Sequence, residues 1–419
     1  MKYVFANRYF YPDQSATSRM VSALAFGLAQ RGFPITIVTG QSLHDNSRDD
    51  LPARETINGV TVIRLPTSRF GRQRLVGRAI DYLTFHISAF FYFLRYFSSE
   101  DIAVVCTDPP LLSVSAGLAL KLRRAHLVNW VMDLFPETAL ELGVLKQQNA
   151  LSKLLTRLRD WSLQAADLTV CPTATMMDFL AKKGVPRARL TTLHHWSDSR
   201  EIYPVSPDQN GLRSEWGLTD RFVIGYSGNF GRAHEFETLL DAAANLQHLP
   251  HIQFLMIGGG KQHEHVVAGA KARGLTNMQF KPLQPAAHIA ESLSAPDIHI
   301  VSLLPQLEHC IIPSKLYGIL AAGRPTLFVG DRQGEVSRVI RAAGCGEAVE
   351  IGDVVRLTDV IAALSADPAR VSAMGASARR LLETDYVYDH AVDSWASLLS
   401  AIHTKTASPA RASKVEQPT

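Results

Sequence analysis

Short apolar runs alternate with longer amphipathic stretches along most of this chain. In the first half, apolar runs at 2–7 and 35–40 flank a stretch at about 19–31 whose apolar residues recur at helical spacing. A strand, a helix and a strand in this order form a βαβ unit, which belongs to a parallel sheet. We therefore predict an α/β fold in which ligands bind where the strand C-termini meet.

The alternation continues through the first half and then restarts. Further strands are predicted at 103–108, 127–133, 168–173 and 190–196, with a helix at 149–166. In the second half the predicted strands are 222–226, 252–260, 278–283, 298–304 and 326–330, and the predicted helices between them are 235–246, 262–273 and 286–294. Two such series predict two α/β domains, each with a parallel sheet.

The chain length agrees with this division, since 419 residues exceed one ordinary domain and suit two of about 200. The polar stretch at 197–211 is typical of an interdomain linker. We place a first domain at 1–205 and a second at 206–385. An amphipathic helix follows at 386–402, and the small, polar tail at 403–419 is expected to be disordered.

Composition and charge narrow the class of protein. The chain is 46% hydrophobic and 20% charged, and its first residues lack the apolar core of a signal peptide. Its four cysteines lie far apart, which fits a reducing compartment and favours a cytoplasmic protein. Residues 1–205 carry 24 basic against 17 acidic residues (+7), and residues 206–419 carry 19 against 22 (−3). The basic half suggests an anionic surface or substrate, but no motif indicates nucleic acid.

The turn after the strand at 222–226 is the strongest candidate site. Gly225, Gly228 and Gly231 are three residues apart, and Arg232 adds a permanent cation before the next helix. A glycine turn that leads into a helix N-terminus presents free backbone N–H groups, which bind phosphate. The spacing matches neither G-x-G-x-x-G nor G-x-x-x-x-G-K-[ST]. A turn of this kind without a ligand is an equally good interpretation.

A second helix start of the same type lies later in this half. Pro313 and Ser314 open a helix, with Ser314 as its expected N-cap, and Lys315 follows at once. A Gly-Arg-Pro sequence ends this helix before the next strand. Two helix starts with adjoining cations in one domain strengthen the prediction of a phosphate site.

Polar residues at strand ends of the first half form a second group of candidates. Asp108 and Asp133 end two predicted strands, and the loop after the first strand contains Asp13, Ser15 and Ala16. The carboxylates could bind hydroxyl groups or assist proton transfer. They could equally cap the helices that follow, as could Ser15.

The segment 68–97 combines an Arg-rich start with nine aromatic residues. Its first basic residues are Arg69, Arg72, Arg74 and Arg78. The uncharged run at 82–94 has 13 residues, which is short for a membrane span of roughly 20. The pattern is typical of a peripheral segment that lies on a bilayer surface. The alternative is a buried helix with a solvated basic start.

Two stretches of the second half resemble a known family. Residues 226–243 and 313–325 are similar to the retaining GT-B glycosyltransferases of family four, especially the fucosamine-transferase-like enzymes that build bacterial surface polysaccharides. The most specific parts are GYSGNFGRAHEFETLL and PSKLYGILAAGRP, and looser similarity extends over nearly all of residues 1–402. The resemblance implies two facing Rossmann-like domains, with a nucleotide sugar on the second and an acceptor on the first. It also implies a C-terminal helix that crosses back to the first domain.

Carried over by position, the resemblance suggests Gly228, Arg232, Ser314, Lys315 and Leu316 as donor-site residues, and the positions of the remaining candidates in the predicted turns and strand ends add the others. The candidate catalytic residues are Arg232, Lys315 and Asp133. The candidate donor-binding residues are Gly228, Asn229, Gly231, His234, Glu235, Gly258, Gly259, Pro313, Ser314 and Leu316, the last near the nucleoside. The candidate acceptor-side residues are Asp13, Ser15, Ala16 and Asp108.

The chain departs from the family pattern at three places. No lysine follows Arg232 on the glycine turn, so Lys315 is expected to supply that charge. Cys310 and Gly318 occupy the positions of a glutamate pair that commonly contacts the donor ribose, which leaves the donor open. Met132 stands where many relatives have a histidine.

The resemblance predicts a glycosyltransferase that moves a sugar from a nucleotide-diphosphate donor to a lipid-linked or saccharide acceptor in cell-surface polysaccharide biosynthesis. Negative charge develops on the leaving diphosphate, and Arg232, Lys315 and two helix N-termini would stabilise it. The chain contains no D-x-D, so we expect catalysis without a metal or other cofactor. We expect the protein at the inner face of the plasma membrane, in contact with it through residues 68–97.

Two alternatives stay open at this point. A sugar-nucleotide epimerase of the same two-domain architecture would also bind a diphosphate, and it would not need a lipid surface. A catalytically silent nucleotide-sugar-binding module would account for the missing glutamate pair.

Overall fold

A computed structural model describes residues 1–43, 51–71, 75–147 and 149–407. The predictions that concern Arg72, Arg74 and the tail beyond residue 407 lie outside these ranges. Within them the chain folds into two α/β domains, as the alternation of strands and helices predicted.

The first domain is built on an eight-stranded sheet. Its strands are β1 (Tyr3–Ala6), β2 (Ile35–Gly40), β3 (Arg54–Ile57), β4 (Val60–Leu65), β5 (Ile102–Cys106), β6 (His126–Trp130), β7 (Leu168–Cys171) and β8 (Leu190–Thr192). Their order in space is β3-β4-β2-β1-β5-β6-β7-β8, and all neighbours are parallel except β3 and β4. The β3–β4 hairpin escaped the sequence prediction because β3 is a short edge strand, half of whose residues are exposed and which carries little apolar signal.

Helices cover both faces of this sheet. They are α1 (Ala16–Gln30), α2 (Leu75–Tyr96), α3 (Leu112–Arg123), α4 (Glu137–Glu141), α5 (Ala150–Ala165) and α6 (Ala174–Lys182). The apolar side of α1 packs on one face through Leu24 and Leu28, whereas α2 and α3 pack on the other through Phe85, Phe93 and Leu120. Helix α1 begins three residues earlier than predicted.

The second domain has a six-stranded, fully parallel sheet in the order β11-β10-β9-β12-β13-β14. These strands are β9 (Phe222–Asn229), β10 (Ile252–Gly259), β11 (Met278–Lys281), β12 (Ile298–Ser302), β13 (Thr326–Val329) and β14 (Gly346–Val349). The helices are α7 (Gly211–Glu215), α8 (Glu237–Asn245), α9 (His263–Ala272), α10 (Ile289–Ser294), α11 (Lys315–Ala321), α12 (Glu335–Ala342), α13 (Val354–Ser365) and α14 (Pro368–Leu381). Every strand predicted in this half is present, with ends that differ by up to three residues.

The last helix, α15 (Tyr388–Ala407), returns to the first domain, which confirms the predicted crossing. The Tyr388 hydroxyl donates a hydrogen bond to the Ala23 carbonyl of α1 at 2.8 Å. Trp395 is fully buried, with its ring centroid 4.8 Å from that of Trp130. The helix extends five residues beyond the predicted end at 402, so the first residues of the predicted disordered tail are helical.

The two domains share a packed interface. One core cluster combines Val131 and Leu134 of the first domain with Leu307 and Leu316 of the second. The Leu134 N–H donates to the Cys310 carbonyl at 2.9 Å, which ties the loop after β6 to the segment before α11. The loop that carries Asp133 therefore lies against the segment that leads to Lys315.

The two segments that connect the domains lie side by side. One precedes α7 and the other precedes α15. The Ser197 N–H donates to the Tyr386 carbonyl at 3.1 Å, and Ser197 forms an isolated parallel bridge with Val387.

Candidate active site

Strand β9 continues through the glycine turn instead of ending at Tyr226 as predicted. Gly228 and Asn229 pair with Gly258 and Gly259 at the end of β10. Gly228 and Gly258 have φ angles of 128° and 129°, which favour glycine. A Cβ on Gly258 would lie 3.0 Å from the Gly228 carbonyl carbon and would overlap its oxygen. The sequence-predicted glycines of both strands therefore come together because neither strand end has a side chain there.

Lys315 reaches this turn from α11. Its Nζ lies 2.5 Å from the Tyr226 hydroxyl, 3.8 Å from the centroid of the Tyr226 ring and 3.5 Å from His234 Nε2. A Cβ on Gly228 would lie 3.8 Å from the same Nζ. From the sequence we expected Lys315 to supply the charge of the lysine missing from the glycine turn. In the structure its ammonium lies at that turn.

The surroundings of Lys315 shift two pKa values. Burial lowers the pKa of Lys315 to about 7. Burial and then the neighbouring Lys315 charge lower the pKa of His234 to about 3, so this imidazole is neutral at physiological pH. His234 Nδ1 lies 2.5 Å from the Ser302 carbonyl oxygen, which can only accept a hydrogen bond. Nδ1 therefore carries the ring proton, and the lone pair of Nε2 faces Lys315.

The rest of the glycine turn serves two purposes. Arg232 is exposed and forms no ion pair with any described residue, so its guanidinium is available to an anionic ligand. Glu235 Oε1 accepts the Thr238 N–H at 2.9 Å, and the Glu235 N–H donates to Ser302 Oγ at 2.9 Å. Glu235 thus caps the start of α8, a role that the sequence analysis did not consider for it. Gly231 lies in the same turn, between Asn229 and Arg232.

The start of α11 differs from the prediction in one respect. Ser314 lies at the N-cap position, but its backbone is already helical and its side chain makes no capping hydrogen bond. Helix α11 has only seven residues, which limits the dipole that its N-terminus can offer. The contribution of this segment is therefore the Lys315 side chain. Pro313 and Leu316 on either side are buried, and Leu316 packs in the interdomain core.

On the opposite side of the cleft, Asp108 and Asp133 lie beyond the ends of β5 and β6 rather than within them. Partial burial and then the negative charge of Asp108 raise the pKa of Asp133 to about 6. Asp133 as a whole residue is nevertheless exposed. The two carboxylates are therefore close enough to interact.

The loop before α1 is organised by Asp13. Its buried carboxylate accepts hydrogen bonds from the Ser15 N–H at 2.9 Å and from Ser15 Oγ at 2.5 Å. Ser15 occupies the N-cap position of α1, but its hydroxyl bonds to Asp13 and not to the helix. Ala16 is the exposed first residue of the helix. Asp13 and Ser15 thus shape the loop that ends in Ala16.

Two residues of the site were not found from the sequence. Tyr226 reads as an apolar strand residue, yet its hydroxyl contacts Lys315 and donates to the Asn229 carbonyl at 2.8 Å. Ser302 ends β12 and binds both His234 and Glu235 through its carbonyl and hydroxyl groups. Only their positions could have indicated them, because each lies toward the C-terminal end of a strand next to the glycine turn. Among the described residues no group of three or more His, Cys, Asp or Glu side chains is arranged to hold a metal ion.

Two Rossmann-like domains with parallel sheets, a cleft between them and a C-terminal helix that returns to the first domain define the GT-B class of fold. Comparison with protein families agrees. The model described as a glycosyl transferase 4-like domain matches residues 15–196, and the model described as glycosyl transferases group 1 matches residues 208–381. The chain belongs to the GT-B glycosyltransferases, and it is a glycosyltransferase.

Individual proteins give the same result. The chain is 27% identical over 329 residues to the probable glycosyltransferase WbjE of Pseudomonas aeruginosa, covering 76% of this chain and 79% of that protein. It is 26% identical over 345 residues to the putative colanic acid biosynthesis glycosyl transferase WcaI of Escherichia coli K12, covering 79% and 83%. The crystal structure of Anabaena HepE in complex with UDP and glucose superimposes with a TM-score of 0.72 at 14% identity, over 96% of this chain and 100% of HepE. These findings favour the transferase over the epimerase and the silent module.

Proposed function

We propose that this glycosyltransferase moves a sugar, with retention of configuration and without a metal ion, from a nucleotide-diphosphate donor to a lipid-linked or saccharide acceptor in cell-surface polysaccharide biosynthesis. The observation that carries the proposal is the position of Lys315 Nζ beside Gly228, with exposed Arg232 on the same turn. Two cations at a glycine turn are suited to a diphosphate. The name of the Escherichia coli relative supports the polysaccharide class.

A uridine diphosphate sugar is the first donor to test, because HepE was crystallised with UDP and glucose. The transferred group would be a hexosyl or an N-acetylaminosugar unit, in line with the resemblance to fucosamine-transferase-like enzymes. Cys310 and Gly318 offer no carboxylate to the ribose, so ribose recognition has to come from other groups in this chain.

The residues divide the chemistry between the two sides of the cleft. The bond from the anomeric carbon to the diphosphate oxygen breaks, and its electron pair remains on the diphosphate. Arg232 and Lys315 stabilise this charge, and loss of one such group typically costs about 3–4 kcal/mol of activation free energy. The acceptor hydroxyl forms the new bond from the face that the diphosphate leaves. We assign the hydroxyl proton to Asp133, whose carboxylate lies near Asp108 and has a pKa raised to about 6.

The outer face of the first domain supports a membrane-bound acceptor. One stripe of α2 is apolar and exposed, and it consists of Val76, Ile80, Leu83, Ile87 and Phe91. On α3, packed beside α2, Leu118 and Leu122 are also exposed. The opposite side of α2 is buried in the core, so both sequence interpretations of 68–97 apply, one to each face.

Charge favours an anionic bilayer as the occupant of this α2–α3 face. Asp81 is the only acidic residue of α2 and is buried, whereas α3 has no acidic residue. The exposed cations at the helix ends are Arg69, Arg95, Lys121, Arg123 and Arg124. None of the described helices combines the length and the apolar character that crossing a bilayer requires. We therefore place the protein on the inner face of the plasma membrane, with the apolar stripe in the headgroup region.

The donor site is tested by thermal stabilisation with a panel of nucleoside diphosphates, with magnesium and with EDTA. We expect one diphosphate to stabilise the parent equally under both conditions and to lose its effect in Arg232→Ala and Lys315→Ala. Lys271→Ala, which removes an exposed lysine of α9, is the matched control and should behave like the parent. No stabilisation by any diphosphate would refute the donor site. Product analysis by NMR then reports the anomeric configuration.

The membrane contact is tested by flotation with vesicles of anionic and of neutral lipid. We expect binding to the anionic vesicles only, with a strong reduction in Leu83→Glu and Phe91→Glu. Val355→Glu changes an equally exposed apolar residue of the second domain and should bind like the parent. Equal binding of all three variants would contradict the α2–α3 assignment.

A further inference from the structure

A continuous chain of hydrogen bonds runs through Lys315. The Tyr226 hydroxyl donates its own proton to the Asn229 carbonyl at 2.8 Å, so its oxygen lone pair is free to accept from Lys315 Nζ. On the other side, His234 donates through Nδ1 to the Ser302 carbonyl and offers Nε2 to Nζ at 3.5 Å. The direction of every bond in this chain is fixed by a backbone carbonyl at each end.

This chain of hydrogen bonds determines which N–H groups of the Lys315 ammonium remain available to a ligand. An ammonium group has three N–H donors, and Tyr226 and His234 occupy the positions of two. The third is left for the side of Gly228, whose Cβ, if present, would lie 3.8 Å from Nζ. The face of the Tyr226 ring, 3.8 Å from Nζ at its centroid, adds a cation–π contact that favours the charged form.

We propose that Tyr226 and His234 are positioning residues that hold the Lys315 ammonium with one N–H directed at the donor diphosphate. They act through Lys315 and need not touch the donor. The inference rests on the proposed donor site. It adds that Lys315 of α11 can take the place of a lysine on the glycine turn only because two groups hold it there. These groups are the Tyr226 hydroxyl on β9 and the neutral His234 imidazole in the turn.

The charge of Lys315 depends on few neighbours among the described residues. Tyr226 on β9 is neutral because burial raises its pKa. His234 in the turn is neutral, and so is His299 on β12, because burial and then the charges of Arg324 and Lys315 lower the pKa of His299 to about 4. Arg232 on the turn is exposed. The positioning contacts thus oppose the loss of the Lys315 proton that burial promotes.

The test measures kcat/KM for the donor against pH in the parent, Tyr226→Phe and His234→Leu. We expect Tyr226→Phe to lower kcat/KM about tenfold, because it keeps the ring and removes one hydrogen bond to a charged group. We also expect the alkaline limb of its profile to move down by about one pH unit, because the ammonium has lost an acceptor. His234→Leu should change both quantities in the same direction. Tyr203→Phe, at an exposed tyrosine outside the site, is the control and should match the parent.

A double-variant cycle separates positioning from other roles. In the Lys315→Ala background we expect Tyr226→Phe to have no further effect, since the residue it positions is gone. An additive effect, or an unshifted alkaline limb in Tyr226→Phe, would overturn the inference. Donor binding by the parent, followed as thermal stabilisation by UDP and other diphosphates, distinguishes this outcome from failure of the proposed function, in which no diphosphate binds.

Discussion

Gly27 of α1 lies directly against two side chains of α15. A Cβ built on Gly27 would lie 2.8 Å from Val392 Cγ2 and 3.1 Å from Tyr388 Cζ, and it would overlap the Tyr388 hydroxyl. Real Cβ atoms essentially never approach so closely, so Gly27→Ala has to push α15 away from α1. The hydrogen bond from Tyr388 to Ala23 at 2.8 Å is then strained or lost.

Three effects set the size of the change. Overpacking of a close interface costs about 1–3 kcal/mol, and loss of the Tyr388 hydrogen bond costs about 1 kcal/mol. The higher helix propensity of alanine in the last turn of α1 returns at most about 1 kcal/mol. We therefore expect Gly27→Ala to lower the free energy of unfolding by about 1–3 kcal/mol. The melting temperature should fall by about 2–4 °C for each kcal/mol.

Differential scanning calorimetry measures the overall change, and amide hydrogen exchange shows whether α15 is the element that loosens. Tyr388→Phe removes the overlapping hydroxyl, so Gly27→Ala should cost less in that background than in the parent. If Gly27→Ala instead raises the melting temperature by its helix propensity alone, or if the two changes are additive, the close packing of α15 against Gly27 is refuted.

Three further predictions concern other parts of the molecule. Gly258→Ala should lower kcat/KM for the donor at least tenfold and should also lower the melting temperature, because the new Cβ overlaps the Gly228 carbonyl. Gly259→Ala is the control. Its Cβ meets nothing within 4 Å, so the melting temperature should match that of the parent. Folding raises the pKa of Asp133 to about 6, so the stability it contributes is fully present below about pH 4 and is lost as pH rises through about 6. Asp133→Asn should therefore gain stability on the parent above pH 6 in melts across pH, and a constant difference would contradict the shift. Trp395→Ala should cost about 3–5 kcal/mol in denaturant unfolding, because its side chain is fully buried between two aromatic rings.

Much of the fold was predictable because its strands are buried on both faces. Strands such as β10 and β12 are mostly apolar and buried along their length, and their order with the helices left few arrangements of a parallel sheet. The β3 edge strand was missed because half of its residues face solvent. The start of α1 was placed too late because the turn held by Asp13, which only the folded backbone reveals, precedes it.

The candidate site was predictable where backbone conformation demands a residue type. A Cβ on Gly258 would collide with the Gly228 carbonyl, and both glycines have positive φ angles, 128° at Gly228 and 129° at Gly258, that favour glycine. Lys315 was identified by its position at a helix start. Of its two partners, His234 was among the candidates but Tyr226 was not. Tyr226 in an apolar strand, and Ser302, which binds His234 at the end of another strand, carry no pattern that distinguishes them from core residues.

The two connections between the domains lie side by side, which bears on the exchange of domains between related proteins. The second domain leaves and re-enters the first at nearly the same point, where the Ser197 N–H and the Tyr386 carbonyl are 3.1 Å apart. Two cuts at this point release a cassette that contains the glycine turn and Lys315 and leave behind the α2–α3 face and the carboxylates of the first domain. A domain exchange at these junctions has to preserve the shared core around Leu134 and Leu316. If it does, the proposed function predicts that one parent supplies the choice of donor and the other supplies the choice of acceptor.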